Sequence, residues 1–360
     1  MSKIVSIGTA VPAYKHQQKD ILQFMQRVYA LDAVENRKLK FLYNLSGIDT
    51  RHSVIPDYSC TINDWKFYPQ TENLEPFPML EERMQWYNKY AAPLSVDAIH
   101  DCIEGTIKAN EITHLITVSC TGMSAPGLDL QVMDLLGLPN HIYRTSVNFM
   151  GCYAAIHGLK MADVICKADA SAKVMVVCTE LCTLHFQKDS TQDNIASTLL
   201  FADGSAAALV THDSYEAKGL QLKSFYSEVV SKGKQDMAWE LSSSGFLMTL
   251  SGYIPELIEE DFEPLVQRAL QQAGIQKEHI KQWCVHPGGK RIVESIQRSL
   301  QLPAEALNKC HGVLQQFGNM SSPTILFVLK ELMKEQKQGA LFGAAFGPGL
   351  TMETFTAAYE

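Results

Sequence analysis

Apolar residues along the chain fall into short β-leaning runs separated by longer segments with apolar positions at helical spacing. Ile4-Val5-Ser6-Ile7 predicts a strand over 3–8, and 17–34 reads as a mostly polar helix. Pro56, Pro69, Pro76 and Pro78, with several aromatics, mark 55–80 as a long irregular excursion. Helical pattern returns over 81–105. A strand at 114–119 is followed by a helix with Leu128, Val132, Leu135 and Leu136, closed by Gly137 and Pro139. A run from Ile142 to Phe149 reaches Gly151, and a small-residue helix follows at Ala154, Ala155, Ile156, Leu159 and Ala162. Strands at 174–178 and 204–210 flank a mixed segment, 179–203.

After a polar stretch at 227–236, the pattern predicts a helix over 259–273 stopped by Gly274, and a strand over 282–285. The next helix places Ile292, Val293, Ile296 and Leu300 on one face. Ser322 suits an N-cap and Pro323 a first helical residue for 324–334. Runs at 340–346 and 351–359 form a closing strand pair around Gly347-Pro348-Gly349. Strands alternating with helices throughout imply an α/β fold.

The pattern also repeats. Cys120 and Cys152 are 32 positions apart, each in a loop leading into a helix, and His286 and Asn319 are 33 apart in the same two contexts. A strand follows 22 residues after Cys152 and 21 after Asn319. This spacing predicts two copies of one αβ unit, residues 1–220 and 221–360, packed about a pseudo-twofold axis with their corners at a central seam.

Composition narrows the picture. A chain of 360 residues that is 46% hydrophobic can bury a large core. The formal charge of −8 and the lack of a Lys/Arg-rich block argue against nucleic acid and anionic membrane as partners. No apolar run has spanning length, and the amino-terminal residues do not read as a signal peptide, so a cytosolic enzyme is expected. Nine cysteines without a C-x-x-C pair, most in apolar surroundings, argue against a disulfide framework and structural zinc.

Cys152 falls on the predicted strand-to-helix turn, where unpaired N–H groups and the helix dipole favour thiolate. Taken alone, it reads first as a small buried hydrophobe. A Cys/His/Asn set is chemically coherent. His286 can take the thiol proton, and the Asn319 amide, with His286, can hold a thioester oxygen where negative charge develops. That suits acyl transfer to Cys152 and decarboxylation of a malonyl thioester. Individually, His286 also reads as a core histidine at a strand end and Asn319 as a turn residue.

Val-Asn-Phe-Met-Gly-Cys152, Val-His286-Pro-Gly-Gly, Gly-Asn319-Met-Ser-Ser-Pro-Thr and Phe-Gly-Pro-Gly349-Leu-Thr-Met-Glu-Thr resemble the type III polyketide synthases, the chalcone synthase superfamily. The resemblance runs from Ile4 to the C-terminus and includes the Cys120 loop and Leu-Leu-Phe201-Ala-Asp-Gly. It implies a thiolase fold of two αβ halves in five layers, αβαβα, acting as a homodimer. It implies Cys152, His286 and Asn319 as catalytic residues, acyl-CoA and malonyl-CoA as substrates, and no bound cofactor or metal. Phe201 falls on the family's gatekeeping phenylalanine; without the family it reads as core packing. Cys120 and Gly349 lie in the motifs placed at the substrate cavity. A cis Ala125–Pro126 bond is implied, and Ala125 stands where plant members push a methionine into the partner's cavity.

Several positions depart from the plant enzymes. Met248 replaces a second gatekeeping aromatic, His185 a threonine, Trp239 a glycine and Ser197 another glycine. The surrounding runs resemble bacterial members that use fatty acyl starters, which implies a medium- or long-chain acyl-CoA and an alkylpyrone or alkylresorcinol product. Lys38, with Arg37 and Lys40 beside it, matches a position for CoA phosphates, although these residues also read as a solvated helix face. Phe41 and Leu45 occupy the two later basic positions. Rival readings are a ketoacyl-carrier-protein synthase, a thiolase-fold binding protein without catalysis, and a cysteine protease.

Overall fold

The computed structural model describes residues 1–359. The first half contains β1 (Ser2–Ala10), β2 (Tyr14–Gln17), α1 (Gln18–Val28), α2 (Ala33–Leu45), β3 (Thr50–Ser53), α3 (Leu80–Ile103), β4 (His114–Ser119), α4 (Leu128–Leu136), β5 (Tyr143–Asn148), α5 (Ala154–Ala168), β6 (Lys173–Leu181), α6 (Gln192–Leu200) and β7 (Asp203–His212). The second contains β8 (Leu220–Val229), β9 (Met237–Ser242), β10 (Gly245–Leu250), α7 (Ile254–Ala273), β11 (Ile280–Val285), α8 (Lys290–Ser299), α9 (Asn308–Phe317), α10 (Pro323–Met333), β12 (Gly339–Gly347) and β13 (Thr351–Tyr359).

Nine strands hydrogen-bond in the order β11-β12-β13-β8-β1-β7-β6-β4-β5. Within this sheet the two halves join where Ser2, Lys3 and Ile4 of β1 pair with Leu222, Gln221 and Leu220 of β8. Five layers result. α3 covers β1, β7 and β6 on one side, α5 and α10 occupy the middle, and α7 with α8 closes the far side against the second-half strands. The first-half strands are buried on both faces and their residues alternate between two cores. Val174, Val176 and Cys178 join the central cluster, whereas Met175 and Val177 join the outer one. Helix α5 fits the middle layer because its contact face is small. A Cβ on Gly158 would meet Val176 Cγ1 at 2.8 Å.

Four sequence expectations change. The predicted 17–34 helix is two helices, broken at Ala30 (φ 47°) and restarted by an Asp32 capping box, with Val34 N and Glu35 N donating at 2.7 and 2.8 Å. The hairpin β9–β10 and helix α9 lie in segments for which the pattern predicted no element. Ser322 precedes α10 but its side chain caps nothing, donating instead to Glu180 Oε1 at 2.9 Å. Finally, the second copy of the repeat lacks the strand equivalent to β5, because α9 occupies that stretch. The Ala125–Pro126 peptide is cis.

Candidate active site

Two turns from opposite halves press on the Cys152 corner. After β5 the chain turns through Phe149 (φ 58°) and Gly151 (φ 80°), and α5 begins two residues past Cys152. Only glycine fits at 151, since a Cβ there would lie 2.1 Å from Pro348 Cδ. Gly347 is tight as well, since a Cβ there would lie 2.5 Å from Tyr153 Cδ1 and 3.3 Å from Cys152 N. The closing Gly-Pro-Gly turn of the second half thus locks the cysteine turn of the first.

His286 follows β11 directly, its N–H donating to Ala344 O at 2.8 Å. The ring is 2% exposed, and both its nitrogens lack a partner among the described residues. Asn319 is clamped. Its N–H donates to Leu200 O and its carbonyl accepts from Ala202 N, both at 2.9 Å. Oδ1 accepts from Ser321 N at 2.8 Å and Nδ2 donates to Gly288 O at 3.1 Å. One amide hydrogen remains for a substrate oxygen. The Cys152 thiol donates to Ser321 Oγ at 3.5 Å.

The ionisation state differs from the sequence expectation of a dipole-stabilised thiolate. Burial pushes the Cys152 thiol up to about 12, against an opposing pull from the Ser321 hydroxyl. Burial also holds the His286 imidazole down to about 3. Desolvation outweighs the helix end here because both groups sit in apolar surroundings. Burial therefore favours the neutral form of both side chains.

Cys152, His286 and Asn319 line one common cavity. Phe201, Met248, His185, Trp239, Ser197 and Cys120 line it as well. Met248 and Trp239 face each other across the β9–β10 hairpin, and the Trp239 indole N–H donates to Cys120 O at 2.7 Å. His185 stacks on Phe246 at 4.2 Å. Its Nδ1 accepts from Phe246 N at 3.2 Å, so Nε2 carries the hydrogen and donates to Thr121 O at 2.7 Å. Burial keeps this ring neutral, its pKa lowered to about 3. It is a wall with no free donor. Four expected residues lie elsewhere. Gly349 is off the wall and its neighbour Pro348 lines it. Arg37, Lys38 and Lys40 stand on the exposed side of α2, beside exposed Phe41 and Leu45.

Two residues of the site escaped the sequence. Glu180, at the end of β6, accepts from Cys120 N and Thr121 Oγ1 at 2.8 Å and from Ser322 Oγ at 2.9 Å, so one carboxyl ties both halves together. Burial raises it to about 7. A lone acid closing Val-Met-Val-Val-Cys-Thr-Glu was its signal. Arg51 is 3% exposed and lines the cavity. Among the described residues no cluster of three His, Cys, Asp or Glu side chains is arranged for a metal ion. No helix is long and apolar enough to cross a membrane.

Comparison with known sequences turns this geometry into a family. Residues 1–214 match the profile for chalcone and stilbene synthases, N-terminal domain, and 221–358 match the corresponding C-terminal domain. The chain belongs to the chalcone and stilbene synthase family. It is 29% identical to an alpha-pyrone synthesis polyketide synthase-like protein of Mycobacterium tuberculosis, over 97% of this chain and 89% of that one. Identity is also 29% with a putative chalcone synthase of Bacillus subtilis, over 100% and 99% of the two chains. The crystal structure of PKS-I from the brown alga Ectocarpus siliculosus superposes with a TM-score of 0.94 at 26% identity, covering 100% of this chain and 98% of that one. The C-terminal type III polyketide synthase domain of Steely1 from Dictyostelium gives 0.92 at 28% identity, covering 99% of each. The fold is accordingly the thiolase fold of type III polyketide synthases. Like other chalcone and stilbene synthases, the protein is an acyltransferase that condenses CoA thioesters with loss of carbon dioxide.

Proposed function

We propose that Cys152 accepts the starter acyl group, His286 takes the thiol proton, and His286 with Asn319 holds the malonyl thioester oxygen during decarboxylation. The resulting enolate carbon attacks the acyl-Cys152 carbonyl, forms the new C–C bond and expels the thiolate. The starter is a medium- or long-chain fatty acyl-CoA, and the extended chain cyclises to an alkylpyrone or alkylresorcinol. One observation carries the substrate assignment. The cavity that holds Cys152 is also lined by the apolar side chains of Ile21 and Met25 from α1 and by Tyr58 and Phe186. Trp239 closes the side near Cys120, where its indole is fixed by a hydrogen bond. A flexible alkyl chain fits such an apolar lining better than a rigid aromatic starter does. The name of the mycobacterial relative, for alpha-pyrone synthesis, agrees with this.

A ladder of acyl-CoA starters incubated with malonyl-CoA and read by mass spectrometry tests the assignment. Extended products from starters of about eight carbons and longer are expected, on the chemistry of a long apolar pocket. Products from acetyl or short aromatic starters alone would sink it. Cationic Lys38, with Arg37 and Lys40, is assigned to the CoA phosphates. The enzyme is read as a cytosolic homodimer, its free thiols fitting a reducing compartment and the unpaired edge of β5, with Tyr143 71% exposed, fitting a partner contact. A monomeric sedimentation profile would remove the dimer.

A further inference from the structure

A buried guanidinium in the cavity wall has no carboxylate at ion-pair distance among the described residues. Arg51 Nε donates to Gln18 Oε1 at 2.9 Å. Its Nη1 donates to Thr198 O at 2.7 Å and to Phe201 O at 2.5 Å, while Nη2 has no partner. A buried cation supported by neutral acceptors destabilises a fold unless the arrangement serves something else. Its acceptors show what that is.

A helix leaves its last four carbonyls without intrahelical partners. At the end of α6 all four are taken: Thr198 O and Phe201 O by Arg51, Leu199 O by Gln18 Nε2 at 3.0 Å, and Leu200 O by the backbone N–H of Asn319. The next N–H, of Ala202, returns to Asn319 O. The stem of Arg51 also lies against Gly318, where a Cβ would meet Arg51 Cγ at 2.8 Å and Cδ at 2.9 Å. One side chain therefore touches the carbonyl of Phe201 and the backbone immediately before Asn319. A cation at this helix end is favoured by the dipole as well.

We propose that Arg51 is a positioning residue that fixes the Phe201 ring and the Asn319 carboxamide relative to each other, so that an enolate formed at Asn319 is delivered to acyl-Cys152. The inference rests on the reading of the preceding subsection. Decarboxylation breaks the bond between the malonyl methylene carbon and its carboxylate and releases carbon dioxide. The enolate so formed has two fates. Aligned, its carbon attacks the acyl carbonyl, the C–C bond forms and Cys152 leaves as thiolate. Misaligned, it takes a proton from water and departs as acetyl-CoA. Arg51 governs the choice between them, because a misplacement of about 1 Å costs on the order of a hundredfold in a bond-forming step.

The test is Arg51→Lys in the full chain, which keeps the charge and removes the planar fork. Extended product and acetyl-CoA are measured together from a fatty acyl-CoA and malonyl-CoA, with the rate of iodoacetamide labelling at Cys152 as a control for the fold. The ratio of extension to acetyl-CoA release should fall by roughly tenfold to a hundredfold, with labelling within about twofold of the parent protein. An unchanged ratio, or an equal fall of both products with labelling kept, overturns the proposal. Should the lysine variant not fold, Gln18→Leu removes the support of Nε and of Leu199 O and leaves the guanidinium in place. It should move the ratio the same way by about threefold, and no movement refutes the role. A parent protein that releases no carbon dioxide from malonyl-CoA would sink the polyketide reading itself, independently of Arg51.

Discussion

The Cys152 and Asn319 corners descend from one repeated pattern, yet they are built differently. Cys152 follows a strand, β5, whereas Asn319 follows a helix, α9, and takes its sheet-like support from Leu200 and Ala202 of the other half. Both corners keep what the chemistry needs: a glycine at positive φ just before the reacting residue, and a helix of the middle layer just after it. The strand was dispensable because hydrogen bonds from outside the second half replaced it. The duplicated units thus share loop geometry rather than sheet order.

Side-chain removal gives the largest contrast between the corners. Cys152→Ala should abolish product formation, by at least about 10⁴-fold, because no acyl carrier remains. Asn319→Ala removes one oxyanion donor and should lower the extension rate about 10²- to 10³-fold while acyl loading of Cys152 survives. Both are read by product mass spectrometry and by mass shift of the acylated protein. Equal effects on loading would erase the distinction.

The glycines come next. Gly151→Ala drives a Cβ into the rigid Pro348 ring and is expected to destabilise by about 3 kcal/mol. Gly318→Ala, at φ 70° and ψ −164°, meets the more pliable Arg51 stem and should destabilise by about 2 kcal/mol. Urea unfolding orders them, and a Gly318 variant that unfolds more easily than the Gly151 variant reverses the comparison.

Glu180 joins the corners through Ser322 and the Cys120 loop. Its folded-state pKa, about 7, lies above the ordinary 4.5, so the folded chain holds this proton more tightly than the unfolded one. Its stabilising contribution is complete below about pH 4.5 and is lost as pH rises through 7. Glu180→Gln should therefore gain thermal midpoint relative to the parent between pH 5 and pH 8. A difference that stays flat over that range refutes the buried carboxylate. The smallest expected effect is that of Ser322→Ala, about 1–2 kcal/mol, accompanied by a still higher Glu180 pKa because a donor to the carboxylate is lost.

The sequence by itself determined the alternation of strands and helices, the loops carrying Cys152, His286 and Asn319, and the family. Those are written in contiguous residues: apolar periodicity, Gly-Pro-Gly turns and short motifs before small-residue helices. The capping box at Asp32 is equally local, although the apolar pattern alone predicts one longer helix across it. Only the tertiary structure decided that burial opposes ionisation of Cys152, that His185 has no free donor, and that Arg51 and Glu180 belong to the site. Desolvation is summed over neighbours remote in the chain, and Arg51 meets Thr198, Phe201 and Gly318 only after the halves close. No window of residues contains that sum, so charge state and support had to be read in three dimensions.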